Sequence, residues 1–224
     1  MGPLFISFEG GEGAGKSTQA KVLHDRLWAA GIRVTLVHEP GTTSLGSYLR
    51  DYLKSKQPLS EAAELLLFEA ARAELVVEKI KPGLDQGFVV IADRFEASTI
   101  AYQGYGRNID FQVINYLNSF AASGRFPDLT FLLDLEPAEG LRRIGNLQLP
   151  LPLETGRPPA VVRQDIEGHR RFEDESFQFH TRIRKGFLTL ARDDPARWVI
   201  IDAMPPEEEV SRLIWQHVAE RLKV

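Results

Sequence analysis

Residues Gly10 to Ser17 read GGEGAGKS and satisfy GxxxxGK[ST], and this octapeptide constrains the fold more than any other feature of the chain. It follows an apolar run, Leu4 to Phe8, and precedes a segment with helical spacing, Ser17 to Ala30. Strand, glycine loop and helix thus come in the order that phosphate binding needs. Glycines let backbone N–H groups approach phosphate oxygens closely, and a helix N-terminus adds partial positive charge. On this reading Gly10, Gly11, Glu12, Gly13, Ala14, Gly15, Lys16, Ser17 and Thr18 form the cradle of a nucleoside triphosphate. Lys16 reaches the β and γ phosphates, and Ser17 ligates the Mg²⁺ that bridges them. A protein that binds nucleotide without catalysis, such as a GTP-dependent switch, satisfies the same pattern.

A phosphate loop needs a sheet to carry it. Further apolar runs read as buried strands at Arg33 to Val37, Phe88 to Ala92, Leu129 to Leu133 and Trp198 to Ile201. Between them lie helical patterns such as Glu61 to Ile80 and Phe111 to Ala122. Alternation of this kind predicts an α/β fold of the P-loop NTPase type: a doubly wound, five-stranded parallel sheet flanked by helices. Ser60 is placed to cap the helix beginning at Glu61, and Pro205 and Pro206 before three glutamates suit the start of the last helix. At 224 residues the chain suits one domain, 1–224.

Composition narrows the partners. A net charge of −4 gives no general attraction to nucleic acid, and 43% hydrophobic with 26% charged residues is a globular balance. With no cysteine the chain has no need of an oxidising compartment, so a cytoplasmic location is expected. The first apolar run stops at Glu9, too short for a signal peptide or a membrane span, and no membrane partner is expected.

No guanine-reading NKxD motif occurs, which weakens the switch reading. Instead the third strand ends in Asp93 and Arg94, at the sheet edge where such folds bind ligands. Asp93 is placed to hold Mg²⁺ through water, and Arg94 to clamp donor and acceptor phosphates with its planar fork. The plain alternative is a strand-end salt bridge between the two. Gly145 to Pro159, GNLQLPLPLETGRPP, breaks the periodicity. Arg142, Arg143, Arg157, Arg163, Arg170 and Arg171 lie in and around it, which makes the region about 142–171 either a flexible basic lid or a surface loop with solvated arginines.

Beyond the phosphate loop, the segments FEGGEGAGKSTQ, HEPGTTSLG, LLLFEAARAE, DRFEASTIAYQGYGR and FEDESFQFHTRIRKGFLTLA together resemble the thymidylate kinases over nearly the whole chain. The resemblance implies phosphoryl transfer from MgATP to dTMP, giving dTDP, by a homodimer. It further implies that Phe68 stacks on thymine, Arg72 bonds its edge, and Tyr102 and Gln103, with Ser98 and Thr99 nearby, border the base and deoxyribose. Tyr102 would disfavour a ribose 2′-hydroxyl. Glu12 matches an acidic position facing the sugar 3′-hydroxyl, and Arg50 a basic residue bordering the acceptor. Lys16, Arg94 and Glu12 are the candidate catalytic residues, Ser17 and Asp93 the candidate metal ligands. Read without the resemblance, Phe68 is equally a core residue and Arg50 a surface one. The spacing of four between Phe68 and Arg72 puts both on one helix face, as a shared pocket requires.

Three departures stand out. His38 and Thr42 replace an arginine and a glycine frequent in the family, so a differently shaped acceptor loop is expected. The proline-rich lid is longer than the family's. Gly13 stands where some members carry an arginine aimed at the transferring phosphoryl group, and members lacking it draw that charge from the lid. The rival readings are a kinase for another monophosphate or deoxynucleoside and a catalytically silent nucleotide binder.

Overall fold

The computed structural model describes residues 2–55, 57–145, 172 and 175–223. Among them five strands form one parallel sheet: β1 (Leu4–Glu9), β2 (Val34–His38), β3 (Val89–Asp93), β4 (Leu129–Asp134) and β5 (Trp198–Asp202). Their order is β2-β3-β1-β4-β5. Each predicted strand is present and runs one residue further than its apolar run suggested. The extra residue is polar in every case: Glu9, His38, Asp93, Asp134 and Asp202. Ladder hydrogen bonding carries each strand past its buried run and delivers a polar side chain to the carboxyl edge of the sheet.

Crossover helices cover both faces. They are α1 (Lys16–Ala29), α2 (Ser44–Lys54), α3 (Glu61–Leu75), α4 (Lys81–Asp85), α5 (Glu96–Thr99), α6 (Phe111–Ala121), α7 (Pro137–Arg143), α8 (Phe177–Asp193) and α9 (Glu207–Leu222). In β1 the two-residue period divides the core: Leu4, Ile6 and Phe8 pack with Leu23 and Leu27 of α1 and Ile214 and Val218 of α9. Phe5 turns the other way, to Leu75, Val76 and Phe95. A third cluster joins Phe179, Ile183 and Phe187 of α8 to Ala101 and Tyr102. Ser60 caps α3, its side chain accepting from the Ala63 N–H, and Glu207, Glu208 and Glu209 occupy the first turn of α9.

The expected helix Glu61 to Ile80 is not uniform. It is α-helical to Leu75, widens into a π-helical turn at Val76–Ile80, and resumes as α4. Pro82, at the start of α4, lacks an N–H and crowds the preceding turn, and a wider turn ahead of it relieves both faults. A second π-helical stretch, Ile100–Gly106, continues α5 and carries Tyr102 and Gln103. Of the region about 142–171, read above as a lid or a surface loop, 142–145 are described; Arg157, Arg163, Arg170 and Arg171 lie outside the described residues.

Because β3 and β1 are neighbours while the connections leaving them run to opposite edges of the sheet, a crevice opens at their carboxyl ends. The phosphate loop follows one of these strands and Arg94 the other.

Candidate active site

Gly10, Gly13 and Gly15 adopt φ of 141°, 69° and 85°, and these turns wrap the loop from β1 into α1. Gly13 has no room for a side chain, since a Cβ there would lie 2.3 Å from the carbonyl oxygen of Gly140. Lys16 is buried, and its Nζ donates to the Gly11 carbonyl at 2.6 Å. Burial, with the neighbouring Arg94 charge, pulls its ammonium down to about 8 against the opposing pull of Glu12, Asp93 and Glu9. The hydroxyl of Ser17 donates to the Asp93 carboxylate. A hydroxyl and a carboxylate are hard oxygen donors that suit Mg²⁺, which takes few protein ligands and completes its shell with phosphate and water.

Arg94 does not pair with Asp93. Its backbone sits in the left-handed region, φ 71°, and this turn carries the guanidinium back across the phosphate loop. Nη2 donates to Glu12 Oε1 at 2.9 Å and to the Tyr102 hydroxyl at 3.0 Å, and Nη1 donates to Ser98 Oγ at 3.1 Å and the Gly10 carbonyl at 3.3 Å. Tyr102 itself donates to Glu12 Oε1 at 2.5 Å. Burial would push the Glu12 carboxyl up, but Arg94, Lys16 and the Tyr102 hydroxyl outweigh it and hold the group at about 2. The acid inside an anion-binding loop is therefore a carboxylate, compensated by an arginine from the next strand.

The acceptor side is built from α2, α3 and the π-helical stretch. Arg72 is 1% exposed, and its Nε and Nη2 donate to Glu39 Oε2 at 3.0 and 2.9 Å. Its Nη1 donates to Glu69 at 2.9 Å and to Asn118 at 2.6 Å, and Nη2 also donates to Thr99 Oγ1 at 2.9 Å. Burial pushes the Glu39 carboxyl up to about 7 in spite of Arg72. Phe68 is half-buried rather than core, its ring 6.0 Å from that of Phe172. Gln103 Nε2 donates to Glu64 Oε1 at 3.0 Å. Arg50 Nη1 donates to the Pro40 carbonyl at 3.1 Å.

His38 and Thr42, the two departures in the acceptor loop, bond to each other. Thr42 Oγ1 accepts from the His38 N–H at 2.7 Å and lies 3.1 Å from its ring Nδ1. The imidazole fills the space over Gly41, where a Cβ would meet His38 Nε2 at 2.4 Å. The exchange of residues thus closes the loop with a side-chain hydrogen bond.

One cavity of about 390 Å³ collects nearly all the sequence candidates. Glu12, Gly13, Gly15, Lys16, Ser17, Thr18, Arg50, Phe68, Arg72, Asp93, Arg94, Ser98, Thr99, Tyr102 and Gln103 line it; Gly10, Gly11 and Ala14 do not. Arg142 and Arg143 face elsewhere, both bonded to Glu139, with Arg143 also donating to the Ala203 carbonyl. Sequence reading missed Glu39 and Phe172, which line the cavity, and Glu64 and Glu69, which hold its side chains. Glu64 and Glu69 carried a signal, Glu64 lying four residues before Phe68 and eight before Arg72, and Glu69 three before Arg72, along α3.

The thymidylate kinase family model matches residues 8–214. A thymidylate kinase of Solidesulfovibrio magneticus is 44% identical over 98% of this chain and 100% of its own. That of Deinococcus radiodurans is 40% identical over 97% of each. The crystal structure of thymidylate kinase from Ehrlichia chaffeensis superposes with a TM-score of 0.76 at 32% identity, over 97% of this chain and 100% of that one.

Proposed function

The chain belongs to the thymidylate kinase family and phosphorylates dTMP to dTDP with ATP as donor, and we propose that the guanidinium of Arg94 organises the transfer. The observation that carries this is its place between the two halves of the cavity. It touches the phosphate loop through Glu12 and Gly10, and the acceptor side through Ser98 and Tyr102. A cation there meets both the γ-phosphoryl group and the dTMP phosphate and offsets the repulsion between two anions.

In the transfer, an oxygen of the dTMP phosphate forms a bond to the γ-phosphorus while the bond from that phosphorus to the β,γ-bridging oxygen breaks, releasing ADP. The attacking oxygen is already ionised, so no enzyme base takes a proton. The loop amides and Lys16 hold the β and γ phosphates, and Glu12, held ionised, accepts the sugar 3′-hydroxyl while Arg94 turns to phosphate. Phe68 stacks on thymine, Arg72 faces its O4 with the N–H edge it shares with Thr99, and Tyr102 closes the 2′ side of the sugar. Arg50 flanks the acceptor phosphate. Ser17 and, through water, Asp93 would hold Mg²⁺, which would supply positive charge against the phosphates.

A homodimer fits the surface. Val113, Tyr116 and Phe120 share one face of α6 at 48%, 72% and 75% exposure, beside Leu66 of α3, and a second copy would cover them. Use of ATP and dTMP, by a chain with no cysteine, supports a cytoplasmic location. Replacing Arg94 by Lys tests the central role, since a point charge keeps the sign and loses the fork. The expected result is a fall in kcat of about 10³ or more with KM for ATP little changed; a kcat within a few-fold of wild type would remove Arg94 from the transfer.

A further inference from the structure

Glu64, Phe68 and Arg72 lie four residues apart on one face of α3; Phe68 and Arg72 line the acceptor half of the cavity, and Glu64 stands behind its wall. Glu64 is 1% exposed and touches Gln103, a cavity-lining residue that is itself 2% exposed. Glu64 Oε1 accepts from Gln103 Nε2 at 3.0 Å and from Arg107 Nε at 3.2 Å, and Oε2 accepts from Arg107 Nη2 at 3.3 Å. Arg107 is held in turn by Glu175 through Nη1, and its guanidinium lies over the Phe179 ring at 4.7 Å.

A carboxylate paired with a guanidinium only accepts hydrogen bonds, whereas a glutamine amide has one donating and one accepting end. The end of Gln103 that faces Glu64 must therefore be its NH₂, and the carbonyl oxygen is turned away, to the cavity side. The amide has no such preference of its own, because its two ends have the same shape.

We propose that Glu64 is a positioning residue that fixes the amide of Gln103 with its carbonyl toward the base, so that the pocket selects thymine over cytosine. The proposal rests on the reading of Phe68, Arg72 and Gln103 as the base pocket. Thymine presents an N3–H donor beside its O4 acceptor; cytosine presents an unprotonated N3 beside an amino group. The Gln103 carbonyl and the Arg72 guanidinium match the first pattern and oppose the second at both positions. Mismatching buried polar groups discriminates more strongly than a difference in size does.

The test is Glu64→Ala, assayed with dTMP and with 5-methyl-dCMP, which differ only along the base-pairing edge. Alanine removes the acceptor that Gln103 Nε2 meets, so neither end of the Gln103 amide is held against α3 and either end can turn to the base. 5-methyl-dCMP then no longer meets a fixed mismatch. The ratio of kcat/KM for dTMP to that for 5-methyl-dCMP should fall at least about tenfold, chiefly through a lower KM for 5-methyl-dCMP. Glu64→Gln should keep most of the ratio, since its carbonyl in the place of Oε1 still accepts from both Gln103 Nε2 and Arg107 Nε. Gln103→Ala should lower the ratio, and Arg107→Ala, which leaves the Glu64 acceptor in place, should lower thermal stability with a smaller effect on it. An unchanged ratio in Glu64→Ala alongside a lowered one in Gln103→Ala would overturn the proposal and leave Glu64 an anchor for Arg107. Unchanged ratios in both would overturn the base-pocket reading as well.

Discussion

Gly13 and Gly140 meet backbone to backbone, the first in the phosphate loop and the second in α7, the helix after β4. A Cβ on Gly13 would lie 2.3 Å from the Gly140 oxygen, and one on Gly140 would lie 2.1 Å from the Glu12 oxygen. The contact leaves no room for an arginine at position 13, since its first side-chain atom would collide with α7. The contact also makes α7 a rest for the loop that carries Glu12.

Gly140→Ala should therefore disturb the phosphate loop from outside the cavity, as Gly140 does not line it. Overpacking of this kind costs about 1–3 kcal/mol. The expected result is a rise of about tenfold in KM for ATP and a melting temperature lowered by several degrees. Steady-state kinetics and thermal unfolding check this; an unchanged KM for ATP would show that the loop does not depend on the contact.

Lys16 gives a pH dependence. Its ammonium, drawn down to about 8 by burial and by Arg94, binds phosphate only when protonated. In the free enzyme kcat/KM for ATP should hold below pH 8 and fall about tenfold for each pH unit well above it. A profile flat to pH 10 would contradict that assignment.

Phe68 packs only against Phe172 among the aromatic contacts of the described residues. Phe68→Ala should remove about 1–3 kcal/mol of base stacking, a rise of roughly 5- to 150-fold in KM for dTMP with KM for ATP little changed. Equal effects on both substrates would return Phe68 to a packing role.

Phe120 bears on assembly. Phe120→Glu puts a charge on the exposed α6 face at its C-terminal end, so light scattering after gel filtration should show dimer for the wild type and monomer for the variant. A wild-type monomer would contradict the homodimer, and a variant dimer of unchanged stability would move the interface elsewhere.

The sheet was legible because its central strands, β1, β3 and β4, are buried on both faces and so read as continuous apolar runs. The loop itself was legible because its chemistry fixes residue types at fixed spacing. The π-helical turns at Val76–Ile80 and Ile100–Gly106 were not legible, since a one-residue widening leaves the apolar period nearly intact; Pro82 marked the first only indirectly. The distant partners of Arg94 and Arg72 were hidden for a different reason. Glu12 is 82 residues from Arg94, and Glu39 is 33 from Arg72, and contacts at such separations have no local pattern. The alternative of an Asp93–Arg94 salt bridge failed because the left-handed backbone at Arg94 swings its side chain to the loop while Ser17 takes Asp93. The shared fate of His38 and Thr42 was unreadable as well, since their hydrogen bond depends on the turn at Gly41.

One cavity that holds the phosphate loop, Arg94 and the proposed thymine pocket leads to one central claim, transfer from MgATP to dTMP. ADP release, measured by a coupled assay with dTMP, dUMP, AMP, CMP and GMP in parallel, tests it most directly. The account predicts that dTMP supports the highest kcat/KM and that AMP, CMP and GMP support little turnover. Release that is fastest with AMP, CMP or GMP, or that is no faster with dTMP than with ATP alone, would contradict it.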